Sequence, residues 1–302
     1  MMDLLSRLRA GEVLVADGAM GTMLFEYGLP PGECPESLNL ADPARLEQVA
    51  RLYVDAGADL VQTNTFGGSP LALARYGLDG QTDAVNAAAV AAVRRVVGTR
   101  AYVSGSCGPS RRTLLPYGDT APEEVYASFE RQVRSLIEAG VDVLCIETMT
   151  DLREAQLAVK AARAVSATIP VMATMTFDAT PRGFFTIMGT DIRTAAAGLA
   201  EAGANIVGSN CGNGSEHMVG VAHEFRARTD LPLLIQANAG LPQADGDRVV
   251  YAETPAFMAQ HAQVLIDLGV SIVGGCCGTT PEHIRAFRMA VDQRRTPGSR
   301  GV

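Results

Sequence analysis

The sequence predicts an α/β protein, a single (β/α)8 TIM barrel with its active site at the C-terminal face of the strands, and three observations point there. The first is size: 302 residues with 47% hydrophobic content suffice for one large core and lie near the upper limit for one domain. A barrel of about 250 residues fits that length without a second domain. The second is alternation, since eight short apolar or β-branched runs are each followed by a stretch of helical periodicity, the pattern of a parallel sheet. The third is that polar and thiol residues gather at the C-terminal ends of those runs, where barrel enzymes place their chemistry.

The strands, in order, are "VLVADG" (13–18), "DLVQTN" (59–64), "AYVSGSC" (101–107), "VDVLCIE" (141–147), "PVMATMTF" (170–177), "ANIVGSNC" (204–211), "PLLIQAN" (232–238) and "VSIVGG" (270–275). Helices are expected over 43–56, 82–97, 121–139, 151–166, 191–202, 215–228, 255–268 and 281–293. Start signals support several of them, such as Thr120 with Glu123 in "TAPE" and Thr280 with Pro281 in "TTPEH". Three stop at a glycine just before the next strand, in "EAGVDV", "EAGANI" and "DLGVSI". A doubly wound eight-stranded sheet is the competing arrangement. It usually shows a glycine-rich phosphate loop after its first strand, and "DGAMGT" is not G-x-G-x-x-G. Residues 1–293 read as the barrel and 294–302, "RRTPGSRGV", as a disordered tail.

Composition excludes several classes of function. With 25 basic and 33 acidic residues the formal charge is −8, with no long run of one sign, so neither nucleic acid nor an anionic membrane is indicated as partner. The start, "MMDLLSRLRAGE", lacks the apolar core of a secretory signal, and no stretch approaches the roughly 20 apolar residues of a membrane span. A cytoplasmic protein is expected. In that reducing compartment the six cysteines (34, 107, 145, 211, 276 and 277) read as buried thiols, metal ligands or nucleophiles rather than a disulfide framework.

The strand ends carry Asp17, Asn64, Cys107, Glu147, Cys211, Asn238 and the adjacent pair Cys276 and Cys277. Cys211 and Cys276 are 276 minus 211, or 65, residues apart, close to two βα units, which puts three sulfurs on one rim beside strand seven. Three thiolates from two strand ends can hold zinc tetrahedrally with the fourth position open, as in a catalytic site. Gly274, Gly275 and Gly278 permit the sharp turn that adjacent ligands need. The same residues can also be read as small buried thiols, or the pair as a strained vicinal disulfide. Cys107 and Cys145 read as non-ligands, the histidines at 217, 223, 261 and 283 as surface residues on helices, and Asn210 as a holder of the Cys211 turn.

The segments "ADGAMGTML", "TNTFGGS", "ETMTDLREA", "SNCG", "ANAGLP" and "GGCCGTTPEHI" together resemble the homocysteine S-methyltransferase family, and most of all the homocysteine-binding module of cobalamin-dependent methionine synthase. The similarity runs from about residue 10 to 292, and G-G-C-C-G-T-T-P is its most specific element. The resemblance implies a zinc-dependent barrel whose ligands are Cys211, Cys276 and Cys277. It implies that homocysteine enters the open position as a zinc thiolate and attacks an external methyl group, giving methionine. Asp17 and Glu147 match the family's substrate-binding motifs as partners for the ammonium group, and the backbone of "DGAMG", with Gly18 allowing close approach, can receive the carboxylate. Asn64 and Thr65 are further substrate candidates, while Asn238 reads as a substrate contact, an occupant of the vacant metal position or a structural asparagine.

The folate-binding, corrinoid-binding and reactivation modules that follow in methionine synthase are absent up to residue 302, so the donor is expected from outside. The motif wording favours a methylcorrinoid (methylcobalamin or a relative) on a separate protein, over a small molecule such as betaine or S-methylmethionine. Two departures from the family pattern, "SCGPS" at strand three and the extra glycine in "SNCGNGSEHM", leave the donor and even the acceptor thiol open. A non-catalytic zinc- or thiol-binding subunit of a corrinoid methyltransferase assembly is the alternative to an enzyme.

Overall fold

The computed structural model describes residues 2–30, 32–246 and 248–295. Eight strands make one parallel sheet: β1 (Leu14–Val15), β2 (Leu60–Gln62), β3 (Tyr102–Cys107), β4 (Val143–Met149), β5 (Val171–Met175), β6 (Ile206–Cys211), β7 (Leu233–Ala237) and β8 (Ile272–Gly275). Neighbours in sequence are neighbours in space, and β8 pairs with β1 in register Leu14 to Ile272. The ring closes between β1 and β2 through the bridge from Ala16 to Leu60 and through Asp59 N–H donating to the Val15 carbonyl at 2.7 Å. This is the expected barrel, and the doubly wound alternative falls because such a sheet has open edges.

Strand alternation sorts the side chains into two cores. Val15, Val61, Val103, Leu144, Val171, Val207, Ile235 and Val273 face the ring of helices. Residues of the other parity, including Leu14, Leu60, Tyr102, Val143, Met172, Ile206, Leu234 and Ile272, fill the barrel interior. The helix Leu4–Arg9, which no sequence signal announced, closes the N-terminal end by burying Leu4 and Leu8 against that interior. Moving up the same parity, the interior turns polar: Ser104, Thr174 and Gln236, then Ser106, Glu147 and Asn210, all buried. Polarity therefore rises toward the C-terminal mouth.

The helices follow the expected spans closely, for example Thr82–Val97, Pro122–Glu138 and Ile192–Ala202. Two antiparallel ribbons stand in the loops after β5 (Asp178–Thr180 with Gly183–Phe185) and β7 (Gln243–Asp245 with Arg248–Val250). The last helix runs Pro281–Arg295, and the rest of the expected tail lies outside the described residues. Among the described residues no helix is long and apolar enough to cross a membrane.

Candidate active site

The sulfurs of Cys211, Cys276 and Cys277 lie within 4.8 Å of one another, and all three residues line one cavity of about 280 Å3 at the C-terminal mouth. Backbone conformation brings them together. Cys276 belongs to the inward parity of β8, but Cys211, one residue after inward-facing Asn210, would face the helices in regular strand geometry. A left-handed backbone at Cys211 (φ 69°), followed by Gly212 at φ 71°, turns its sulfur toward the mouth. Such a conformation costs a non-glycine residue about 1 kcal/mol or more and persists only where surroundings enforce it. Here Asn238 Nδ2 donates to the Gly212 carbonyl at 2.8 Å and to Cys211 Sγ at 3.5 Å. Glu253 braces the next turn by accepting from Ser215 N–H (2.9 Å) and Ser215 hydroxyl (2.6 Å). The glycines of "SNCGNGSEHM" serve this turn, Gly212 and Gly214 both taking positive φ.

The Cys276–Cys277 loop is fixed from three sides. Cys276 N–H donates to the Ala237 carbonyl at 2.8 Å, Ala239 N–H donates to the Cys277 carbonyl at 2.9 Å, and the Thr279 hydroxyl donates to the Cys276 carbonyl at 2.8 Å. Thr279 Oγ1 also accepts from Ala19 N–H at 3.2 Å, so the "DGAMG" turn and the cysteine loop are one unit. A Cβ on Gly275 would collide with the Thr279 side chain, which explains glycine there. The six cysteines are unbridged, so the pair is not a vicinal disulfide.

The trio is electrostatically uneven. Hydrogen bonds from the Cys276 and Cys277 thiols, with Asn238, hold the Cys211 thiol well below the ordinary thiol range. Donation to Cys211 pushes Cys276 well up and Cys277 up to about 11. Negative charge in the metal-free cluster is therefore drawn toward Cys211. Three convergent, ionisable sulfurs facing a cavity are a donor set that suits zinc.

Glu147 stands beside them, 6% exposed and on the cavity wall. Its Oε1 accepts from the Ser106 hydroxyl (2.6 Å) and Gln62 Nε2 (3.1 Å), and its Oε2 from Asn210 Nδ2 (3.3 Å). Burial pushes its carboxyl up to about 7; the Ser106 donor opposes this and negative charge at Cys211 adds to it. Asn210 joins both halves of the site. Its Nδ2 also faces Cys276 Sγ at 3.7 Å and Thr148 Oγ1 at 2.8 Å, and its Oδ1 accepts from Thr148 N–H and the Thr174 hydroxyl, both at 2.7 Å. Thr148 is left-handed (φ 59°) and sits where the β4–β5 register shifts, so Asn210 also pins a bulge.

The family profile described as homocysteine S-methyltransferase matches residues 14–291. The chain belongs to this family. It is 33% identical over 307 residues to a methionine synthase of Mycobacterium leprae (strain TN), covering 96% of this chain and 25% of that protein. A methionine synthase of Mycobacterium tuberculosis (strain ATCC 25618 / H37Rv) is 32% identical, with 98% and 26% covered. The chain thus spans about a quarter of these curated relatives. The metallated form of the homocysteine methyltransferase MmuM from Escherichia coli superposes with a TM-score of 0.79 at 23% identity, covering 95% of this chain and 99% of that one. A methyltransferase from Methanosarcina mazei has the same fold at 11% identity, with a TM-score of 0.62 and 94% and 95% covered.

Within this homocysteine S-methyltransferase barrel the candidates separate by position. Cys211, Cys276, Cys277, Glu147, Gly18 and Asn64 line the cavity. Asn64 is already committed, since its Nδ2 donates to the Pro35 carbonyl (2.7 Å) and Asn39 Oδ1 (2.8 Å). Asp17 and Thr65 are fully buried and are not among the residues that line the cavity. Asp17 Oδ2 accepts from Gln62 N–H at 2.7 Å and helps close the barrel, and Thr65 Oγ1 donates to the Ser106 carbonyl at 2.8 Å. Burial raises the Asp17 carboxyl to about 8, against the Gln62 donor and with help from Glu147. Asn238 is buried beside the trio, its Oδ1 without a partner. Cys107 faces the helix layer and Cys145 the barrel interior, both fully buried. The histidines correct the surface reading: only His223 is exposed, whereas His217 bonds the Phe177 carbonyl, His261 bonds Ser215 Oγ, and His283 is buried against the Glu253 carbonyl. Gln62, Ser106 and Thr148 went unnoticed in the sequence; for Gln62 and Ser106, the inward parity of β2 and β3 was the available signal.

Proposed function

We propose that the chain transfers a methyl group from an external donor to the sulfur of homocysteine, giving methionine, with zinc held by Cys211, Cys276 and Cys277. The observation that carries this reading is the three-sulfur cluster on the wall of a cavity that also presents the buried Glu147 carboxylate. Bound zinc would supply a Lewis acid that ionises an incoming thiol at neutral pH and keeps it nucleophilic. The protein sulfurs stay ligands and are not methylated. Asn238 and Asn210 donate toward Cys211 and Cys276, orienting these sulfurs and drawing off part of their charge.

Glu147 receives the substrate ammonium, held in place by Ser106 and Gln62. The first turn of the helix Met20–Glu26, whose N-cap Ala19 has no side-chain acceptor, faces the cavity and receives the carboxylate, with Gly18 letting the backbone approach. Asp17 acts through Gln62 and the barrel seam rather than by contact. A cavity of about 280 Å3 accepts an amino acid and is too small to enclose a corrinoid ring, so the donor's methyl group is presented from the mouth. The methionine synthase relatives and the motif wording favour a methylcorrinoid protein as that donor. A cytoplasmic setting fits three thiols that must stay reduced to bind metal.

The test is methionine formation from homocysteine by purified, zinc-loaded protein. Methylcobalamin, betaine and S-methylmethionine are compared as donors, with Cys276→Ser as control. Activity with methylcobalamin that disappears in the variant and after chelation supports the proposal. Activity that survives both overturns the zinc mechanism, and no methionine with any donor turns the reading toward a binding subunit or a different acceptor thiol.

A further inference from the structure

The cavity has a second chemical end. Arg75, Arg111 and Phe66 line it together with the cysteine trio; both arginines are exposed, and among the described residues neither guanidinium makes a hydrogen bond or a close ion pair, although the Arg111 charge reaches the buried Glu154 carboxyl. Arginines elsewhere on this acidic chain are commonly matched, as in Arg94 with Asp142 at 2.7 Å and Arg288 with Asp59 at 3.0 Å. Both carboxylates that line the cavity are engaged elsewhere, Glu36 by Gly67 N–H at 2.5 Å and the Cys34 thiol at 3.2 Å, and Glu147 by Ser106, Gln62 and Asn210.

Arg111 is also held in place by buried groups. Its backbone is left-handed at φ 63°, a strained state for a residue with a Cβ. The preceding residue, Ser110, is fully buried and donates through both N–H (2.8 Å) and hydroxyl (2.5 Å) to Glu154 Oε1, itself 5% exposed. Arg112 N–H closes the turn on Ser110 Oγ at 3.3 Å. The guanidinium then rests over the Phe66 ring at 5.4 Å, which leaves its N–H edge free for an anion. The turn bearing Phe66 is clamped in turn, because Gln132 Nε2 donates to the Thr65 carbonyl (2.7 Å) and Asn86 Nδ2 to the Gly68 carbonyl (2.8 Å).

We propose that Arg75 and Arg111 form an anion-binding subsite at the mouth of this cavity, taking a phosphate or carboxylate group carried by the methyl donor. The inference rests on the methyl-transfer reading for the word donor; the anion site itself rests on the arginines. It sets the chemistry of the donor at its non-reacting end, since two unpaired guanidiniums favour anionic oxygens that can accept bidentate bonds.

The test is a calorimetric titration of the purified chain with inorganic phosphate and, in parallel, acetate, with and without homocysteine. One saturable anion site per chain is expected, weakened about tenfold by Arg75→Gln or by Arg111→Gln and lost in the double variant. Homocysteine affinity and thermal midpoint should not move. Tighter phosphate binding that methylcobalamin displaces assigns a phosphate-bearing donor, and tighter acetate binding a carboxylate-bearing one. No anion binding by the wild-type chain, or equal binding by the double variant, overturns the proposal. So does a loss of homocysteine affinity in the variants, which would assign the arginines to the acceptor's own carboxylate. No turnover is needed, so a chain inactive with every donor counts against the methyl-transfer reading and leaves this result standing.

Discussion

Replacing Asn210 with alanine should damage fold and site together, by an amount the structure allows to be worked out. Asn210 Oδ1 is the partner of two donors, Thr148 N–H and the Thr174 hydroxyl, each at 2.7 Å and in a setting where Asn210 itself is fully buried. Each donor left unpaired in such a place costs about 1–3 kcal/mol. Part is recovered because the asparagine amide no longer has to be buried, so a net loss of about 3 kcal/mol is expected. The left-handed Thr148 then loses its clamp, and Glu147 next to it loses the donor on Oε2. Urea denaturation reads the stability change, and calorimetry reads homocysteine affinity, which should fall at least tenfold. Asn210→Asp keeps both acceptor bonds but sets an oxygen 3.3 Å from Glu147 Oε2 in place of the Nδ2 donor, so it should not restore the homocysteine affinity lost in the alanine variant. A loss below about 1 kcal/mol in the alanine variant, with homocysteine affinity unchanged, would refute the idea that this side chain joins the two halves of the site.

Three further outcomes follow from the buried groups. Because the folded carboxyl of Asp17 sits at about 8, above its ordinary 3.8, its contribution to stability is complete below about pH 4 and is lost as pH rises through about 8. Asp17→Asn should therefore lose less stability than wild type between pH 6 and pH 9 in urea melts, and parallel profiles would contradict the raised value. In metal-free protein at pH 7, iodoacetamide should label Cys211 first, while Cys34, Cys107 and Cys145, whose thiols burial pushes up, stay unmodified until unfolding; peptide mass spectrometry distinguishes the sites. Gly275→Ala should lower both the thermal midpoint and zinc affinity by forcing Thr279 off the Cys276 carbonyl, and a variant that keeps wild-type zinc affinity would show that the loop can yield.

The barrel was legible because its signals repeat: eight apolar runs, eight helical stretches, and glycines between them. Single events were not. Leu4–Arg9 has too few residues for a periodic signal, and the ribbons after β5 and β7 are three-residue pairs inside polar loops. At the site, residue type and strand end located the cysteines and Glu147, but strand end alone cannot say which way a side chain faces. Ala16 packs inside the barrel, while Asp17, beyond the end of β1, is spent on the seam to β2, and strand alternation puts Thr65 behind Asn64. Counting parity along β2 would have separated Thr65 from the cavity wall. It would also have excluded Cys211, which reaches the mouth only through a left-handed backbone that no periodicity encodes. The hub role of Asn210 was hidden for a different reason, because its partners come from β4, β5 and the loop after β8.

The central claim, that three cysteines hold a zinc whose remaining position takes the substrate thiol, is tested most directly by measuring metal content and proton release together. Purified protein should carry one zinc per chain, lost in Cys276→Ser, and addition of homocysteine at pH 7 should release about one proton per chain from the zinc form only. Full zinc content in Cys276→Ser, or equal proton release from metal-free and zinc-loaded protein, would contradict it.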